Sequence, residues 1–385
     1  MAGIYIHIPF CKQACYYCNF HFSTSLKNKN DFVSALLKEI KLRQRYLQDE
    51  SIETIYFGGG TPSLLTKSEI QMILDQLRTE FSVMAGAEIT LEANPDDVLP
   101  STVKIWKDAG INRLSLGVQS FFEEDLHWMN RAHNAAQASD AIRIIRGGGF
   151  DNLSIDLIYG SPTLSDVHWK KNVELALQFH IPHLSCYALT VEAKTALQKM
   201  IATKKSADIV PEDQARQFLS LIDWMKDAGY EHYEISNFAL PGWRSRHNTS
   251  YWQGKKYLGL GPSAHSFDGL SRQWNVSNNI KYIDTIAKNE LPFEKEILTN
   301  TQRLNEYIMT SLRTMEGLDL FWVEKEFGVA ARQKIEKESR QYVEKSQLEN
   351  KNENLILTKE GKLFADGIAA SLFFGEEELA LYFPG

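Results

Sequence analysis

Three cysteines fall within eight residues near the start of the chain, Cys11, Cys15 and Cys18, and the fourth, Cys186, lies far away. Thiolates on one short loop can hold three corners of a cubane iron–sulfur cluster and leave the fourth iron without a protein ligand. Such an iron can bind a small molecule and pass it an electron. A zinc site would need a fourth ligand such as His7 or His21, and Cys-x3-Cys-x2-Cys is not a usual zinc spacing. Inert buried thiols do not suit a loop as polar and aromatic as this one. Cys186, alone on a predicted strand, reads as an ordinary core residue.

Further residues of chemical interest follow at intervals. Phe57-Gly58-Gly59-Gly60-Thr61-Pro62 comes directly after a predicted strand. It is either a tight strand-to-loop turn or a place where backbone groups meet a ligand without a Cβ in the way. Glu92, Gln119, Arg131 and Asp156 would singly read as surface charges or helix caps, but their spacing at successive strand ends makes them a set. A guanidinium suits a carboxylate, and carboxylate or amide groups suit hydroxyls and an amine. Near residue 250 lies His247-Asn248-Thr249-Ser250-Tyr251-Trp252, in which an imidazole and two aromatics either bind a ligand or pack the barrel end. His265 is a secondary candidate of the same kind.

The elements that must position these residues can be read from periodicity. Short β-rich runs at 3–8, 54–57, 88–92, 113–117, 153–158, 183–187 and 232–235 alternate with amphipathic stretches at 31–46, 67–81, 102–109, 135–147 and 166–179. This β-α-β-α rhythm predicts parallel strands with right-handed helical crossovers, in an α/β fold closed as a full or partial (β/α) barrel. Gly59, Gly60, Thr61, Glu92, Gln119, Asp156 and Tyr187 all fall at or just beyond strand C-termini, the end where barrel enzymes build their sites. After about residue 290 the pattern changes. Helices at 299–313, 321–327 and 331–345, a small hairpin around 349–354 and a last helix at 359–373 predict a mainly helical, winged-helix-like domain. The expected division is 1–236 for the barrel, 237–290 for a connecting region with the His-Asn-x-x-Tyr-Trp segment, and 291–385 for the last domain.

Bulk properties bound the function. The net charge of −7, with no concentrated basic face in the last domain, argues against nucleic acid as a partner. No apolar run approaches spanning length, and the first residues lack a signal peptide's basic region and cleavage site. Clustered thiols point to a reducing, cytoplasmic setting, and peripheral membrane association stays open.

Tyr5-Ile6-His7-Ile8-Pro9-Phe10-Cys11-x3-Cys15-x2-Cys18 resembles the N-terminal signature of radical S-adenosylmethionine (SAM) proteins. More narrowly it is similar to the branch that holds oxygen-independent coproporphyrinogen III dehydrogenases and heme chaperones, over nearly the whole chain. The resemblance implies a [4Fe–4S] cluster on Cys11, Cys15 and Cys18, with the SAM amino and carboxylate groups on the open iron. In that family an electron from the reduced cluster can cleave the sulfonium bond to a 5′-deoxyadenosyl radical and methionine. By the same resemblance, Gly59, Gly60 and Thr61 hold the SAM amino group, and Glu92, Gln119, Arg131 and Asp156 are further SAM contacts. Tyr5 and Tyr17 line the ligand, and Ala188 offers a backbone contact.

Two features separate the branches. Dehydrogenases carry another cysteine where this chain has Phe20, and they have an N-terminal extension before the first strand. The His247–Trp252 segment resembles the motif linked to heme binding in the heme chaperones, with His247 as the heme contact. The implied function is heme binding beside a SAM-associated cluster and transfer to an acceptor protein, a respiratory one being the candidate, with an electron donor for the cluster. The alternative is oxidative decarboxylation of coproporphyrinogen III.

Overall fold

The computed structural model describes residues 1–48 and 50–375; Asp49 and 376–385, the end of the predicted last domain, lie outside the described residues. β1 (Ala2–Ile8), β2 (Ile52–Gly59), β3 (Val83–Ala93), β4 (Arg113–Gln119), β5 (Leu153–Tyr159) and β6 (His183–Ala188) pair in chain order, all parallel. Between them run α1 (Lys29–Leu42), α2 (Lys67–Glu80), α3 (Pro100–Ala109), the short α4 (Glu123–Trp128), α5 (Ala135–Gly147) and α6 (Asp166–Gln178). Both faces of these strands are covered: every residue of β4 is buried. That is why the strands read as near-continuous apolar runs rather than alternating ones. The helices turn one face inward, α1 through Phe32, Leu36 and Ile40. α2 starts at a reciprocal cap in which Thr66 and Glu69 satisfy each other's backbone N–H groups. α1 ends at Leu42, earlier than the expected 46.

Past α7 (Ala196–Ala202) and α8 (Pro211–Asp227) the simple rhythm stops. The expected strand at 232–235 is β7 (Glu231–Glu234), but it does not join β6. β8 (Asn237–Ala239) inserts between them and runs antiparallel to both. On the opposite edge, after α9 (Arg246–Trp252), β9 (Tyr257–Leu260) lies parallel beside β1. Antiparallel β10 (His265–Phe267), β11 (Ser271–Asn275) and, beyond α10 (Asn279–Ala287), β12 (Phe293–Ile297) extend the sheet outward. Among the described residues the sheet thus has 12 strands, ordered β12-β11-β10-β9-β1-β2-β3-β4-β5-β6-β8-β7.

A buried carboxylate fixes the added edge to the barrel. Glu39 of α1 accepts from Tyr282 Oη at 2.6 Å, Gly261 N at 2.8 Å and Asn275 Nδ2 at 2.7 Å. Arg43, one turn on, reaches Gln273 and Asn275 of β11.

The C-terminal region has its own core around Leu304, Ile308, Phe327 and Ile335. It comprises α11 (Asn300–Leu312), β13 (Leu318–Asp319), α12 (Leu320–Glu344), β14 (Leu348–Lys351), β15 (Asn354–Leu357) and α13 (Ala365–Ser371), with a small sheet ordered β13-β15-β14. α12 is broken at Gly328, where φ is 86°, so it is two helices end to end, as the sequence predicts. The last helix is shorter than expected. A 3-10 turn over Gly361–Phe364 precedes α13, and just before it Thr358 Oγ1 donates to Ser346 O at 2.7 Å. Backbone and ion-pair contacts from Met315 to Tyr233 and from Lys359 to Asp223 hold this region against the barrel.

Candidate functional site

The loop after β1 carries the three cysteines, all free thiols and half-buried. Its base is closed by Cys11 N to Ser23 O and Ser23 N to Pro9 O, and its far side is pinned by Tyr16 N to Met129 O and Asn130 Nδ2 to Ala14 O. Burial pushes the Cys11 thiol up to about 11, with Cys18 and Cys15 adding repulsion. Burial also raises Cys18. Thiols held up in this way, Cys11 and Cys18 here, are stabilised as thiolates by bound metal. Among the described residues no three His, Cys, Asp or Glu side chains close on a single ion. The thiols instead border a cavity of about 510 Å³.

That inner cavity collects most of the candidate set: Cys11, Cys15, Cys18, Tyr17, Gly59, Gly60, Thr61, Glu92, Gln119, Arg131, Asp156 and Ala188 all line it. Arg131 Nη1 lies 3.2 Å from Cys15 Sγ, and its Nη2 donates to Asn94 Oδ1 at 2.7 Å and Gly117 O at 2.9 Å. Glu92 accepts from Tyr56 Oη at 2.8 Å and from Gly59 N at 3.2 Å. Burial, reinforced by Asp156, pushes Glu92 up to about 8, and burial pushes Asp156 up to about 6. Two such carboxylates side by side await a cation, hydroxyl donors, or both. Gln119 holds φ at 64° on a bulged strand, which turns its amide into the cavity. Non-glycine residues persist in that region of φ/ψ only where the surroundings impose it, and such places concentrate at functional sites.

The glycine run that lines the cavity is also required by packing. A Cβ on Gly60 would sit 2.6 Å from Phe10 O and 2.8 Å from Ile8 O, and one on Gly59 would meet the His7 ring. The turn is packed on the end of β1, with Gly60 N and Thr61 N donating to Ile8 O and Phe10 O. The turn thus lines the same cavity as Cys11.

Tyr5 and His247 are not brought into the inner cavity. Tyr5 lines a second, outer cavity of about 840 Å³. His247 lies behind Tyr5 and Tyr56, 1% exposed, with ring centroids 6.5 and 5.0 Å from theirs. Both its nitrogens are engaged, Nδ1 with Thr54 Oγ1 at 2.7 Å and Nε2 with Tyr251 Oη at 2.9 Å. Burial lowers it to about 3, so it is neutral. Its motif neighbours Tyr251 and Trp252 do reach the outer cavity, and Asn19 and Phe20 of the cysteine loop line both cavities.

Sequence reasoning missed the outer wall. His21, Arg272, Arg303, Glu306, Tyr307 and Trp322 line it from the cysteine loop, the added edge and the C-terminal region. A signal was available: positions 303, 306, 307 and 310 share one face of a helix. Nothing local marks that face as meeting the barrel.

Comparison with known proteins gives the same outline. The model described as Radical SAM superfamily matches residues 5–176, and that of the HemN C-terminal domain matches residues 298–364. A protein named heme chaperone HemW from Mycobacterium tuberculosis (strain H37Rv) is 33% identical over 96% of this chain and 94% of its own. One of the same name from Bacillus subtilis (strain 168) is 31% identical, covering 98% of this chain and 100% of its own. The solved structure of Escherichia coli coproporphyrinogen III oxidase (HemN), titled a radical SAM enzyme, shares the fold. Its TM-score is 0.83 at 22% identity, covering 97% of this chain and 90% of that one. Fold and cysteine loop together are those of the radical SAM class. Within it, the chain belongs to the HemW family.

Membership implies a [4Fe–4S] cluster and SAM. The residues present suit both groups: three thiols beside a guanidinium, and buried carboxylates suited to a cationic ligand. Among the described residues no helix is long and apolar enough to cross a membrane.

Proposed function

We propose that the protein is a heme chaperone: it holds heme in the outer cavity, beside a cluster and SAM in the inner one, and passes it to an acceptor protein. The observation that carries this is the juxtaposition of the two cavities. The outer one is walled by Tyr251 and Trp252 of the His-Asn-x-x-Tyr-Trp segment and opens onto the cysteine loop through Asn19 and Phe20. Its volume and aromatic lining suit a flat macrocycle, and relatives of matching length bear the name heme chaperone.

In this reading Cys11, Cys15 and Cys18 hold the cluster. Arg131 would meet the SAM carboxylate, while Glu92, Gln119 and Asp156 would take its amino and hydroxyl groups. Gly59, Gly60, Thr61, Tyr17 and Ala188 would shape the pocket. When bound, a reduced cluster supplies an electron at the inner cavity. His247 then acts on heme through Tyr251, whose hydroxyl it holds, and Tyr5 forms the partition between the cavities. An electron donor and an acceptor, with a respiratory protein as the first to try, complete the cycle in the cytoplasm or at a membrane surface.

Anaerobically reconstituted protein should take up hemin with a saturable Soret change and release it to an apo acceptor. The same sample, reduced and given SAM and coproporphyrinogen III, should form no protoporphyrinogen. Turnover of that substrate would replace the chaperone reading with the dehydrogenase one.

A further inference from the structure

The geometry points to His265 as the side chain that ligates heme iron in the outer cavity, with Arg303 on the facing wall taking a heme carboxylate; this rests on the heme-binding reading above. Four histidines stand in or near that cavity, and hydrogen bonding together with exposure ranks them. His7 donates from Nε2 to His21 O at 2.8 Å and receives Tyr5 Oη on Nδ1 at 3.2 Å. His21 has Nε2 tied to Asn279 Oδ1 at 2.7 Å with only Nδ1 left, and it is less exposed than His265. His247 has both nitrogens engaged and lies inside. The His265 ring lines the cavity, is exposed to it, and makes no side-chain hydrogen bond to another described residue.

Its mount is rigid. His265 opens β10 and pairs with Trp274 of β11, the two rings stacked at 6.2 Å. On the other side β9 comes so close that a Cβ on Gly259 would fall 2.0 Å from His265 O, and Gly259 N donates to Ser266 Oγ at 2.9 Å. A side chain mounted on a held strand, with imidazole nitrogens open to the cavity, can coordinate iron.

The two arginines that line the cavity differ. Arg272 is already paired with both carboxylate oxygens of Glu306, at 2.6 and 2.8 Å. Arg303 makes one long contact to Asn300 Oδ1 at 3.3 Å and has no carboxylate partner among the described residues. A guanidinium without an anion at the rim of an aromatic cavity suits a propionate.

The test is a ferric heme titration of the reconstituted full chain, read by Soret spectrum, EPR and affinity. His265→Ala should bind heme at least tenfold more weakly and lose the nitrogen-ligated spectrum, and added imidazole should restore that spectrum. Arg303→Ala should weaken heme severalfold while leaving heme dimethyl ester, which has no carboxylate charge, unchanged. Circular dichroism confirms folding, and His265→Asn replaces any variant that fails it. Wild-type spectrum and affinity in His265→Ala or His265→Asn overturn the ligand assignment alone, and an Arg303→Ala loss equal for heme and its ester overturns the arginine's part. No heme uptake by the wild type overturns the chaperone reading and this assignment with it.

Discussion

Replacing Glu39 by alanine should destabilise the protein more than any surface change, although Glu39 touches neither cavity. The carboxylate is fully buried on α1 and receives three hydrogen bonds of 2.6–2.8 Å, from Tyr282, Asn275 and Gly261 N. Arg43 Nε lies 3.5 Å away, likewise buried. Alanine strands three donors at about 1–3 kcal/mol each and leaves a guanidinium without its counter-charge, a loss of about 3–5 kcal/mol when a buried pair is broken. These costs overlap, because the donors and the cation share two oxygens. The expected net loss is about 4 kcal/mol, a large part of the roughly 5–15 kcal/mol by which folded domains are stable. Urea denaturation should show it as a lower midpoint at unchanged slope. Arg43→Ala and the double variant should reveal a coupling of at least about 1 kcal/mol between the two sites. A Glu39→Ala loss below about 1 kcal/mol would refute the claim that this carboxylate ties β9–β11 to the barrel.

Other outcomes follow from named contacts. Lys362 donates to His232 Nδ1 at 2.9 Å, and burial lowers it to about 8 from the ordinary 10.5. The unfolded chain therefore holds more protons between those values. The cost of burying the charged amine is fully present below pH 8 and is relieved as pH rises toward 10.5, by up to about 3 kcal/mol. Denaturation of wild type against Lys362→Met from pH 7 to 10.5 should show the wild type gaining on the variant; parallel curves would contradict the burial argument. Gly60→Ala must push back two carbonyls of the β1 end, at about 1–3 kcal/mol for overpacking. Iron content after anaerobic reconstitution should drop, and a fully loaded variant would show that the turn is not rigidly seated. Arg131→Gln removes a guanidinium that touches Cys15, Asn94 and Gly117 O. At about 1.5–3 kcal/mol for a charged hydrogen bond, SAM affinity by calorimetry should fall at least tenfold, and unaltered affinity would move the carboxylate contact elsewhere.

What could be read from the chain beforehand was whatever a short stretch specifies by itself. The cysteine loop, the glycine turn and the residues at the ends of β3, β4 and β5 each sit at a fixed offset from a strand that announces itself by apolar content, so the inner cavity was legible nearly whole. β8, β9 and β10 were not. Each has three or four residues, too few for a period, and each finds its place through partners remote in sequence. The outer cavity shares that fate, since its walls come from three separated parts of the chain.

His247 shows the limit most sharply, because residue type and spacing both suggest a ligand while its surroundings give the ring other work. α9 places Tyr251 one turn beyond His247, so the two meet at 2.9 Å on one face. The helix lies across β1 and β2, which puts the histidine beneath and the tyrosine at the cavity. Thr54 holds the far nitrogen. A buried imidazole with both nitrogens bonded cannot reach iron without breaking two hydrogen bonds and leaving Thr54 and Tyr251 unsatisfied, at about 1–3 kcal/mol each. The same energy, left in place, fixes the tyrosine ring at the cavity wall. A His-Asn-x-x-Tyr-Trp segment therefore works here as a bracket for its aromatic residues, which it holds at the wall of the outer cavity.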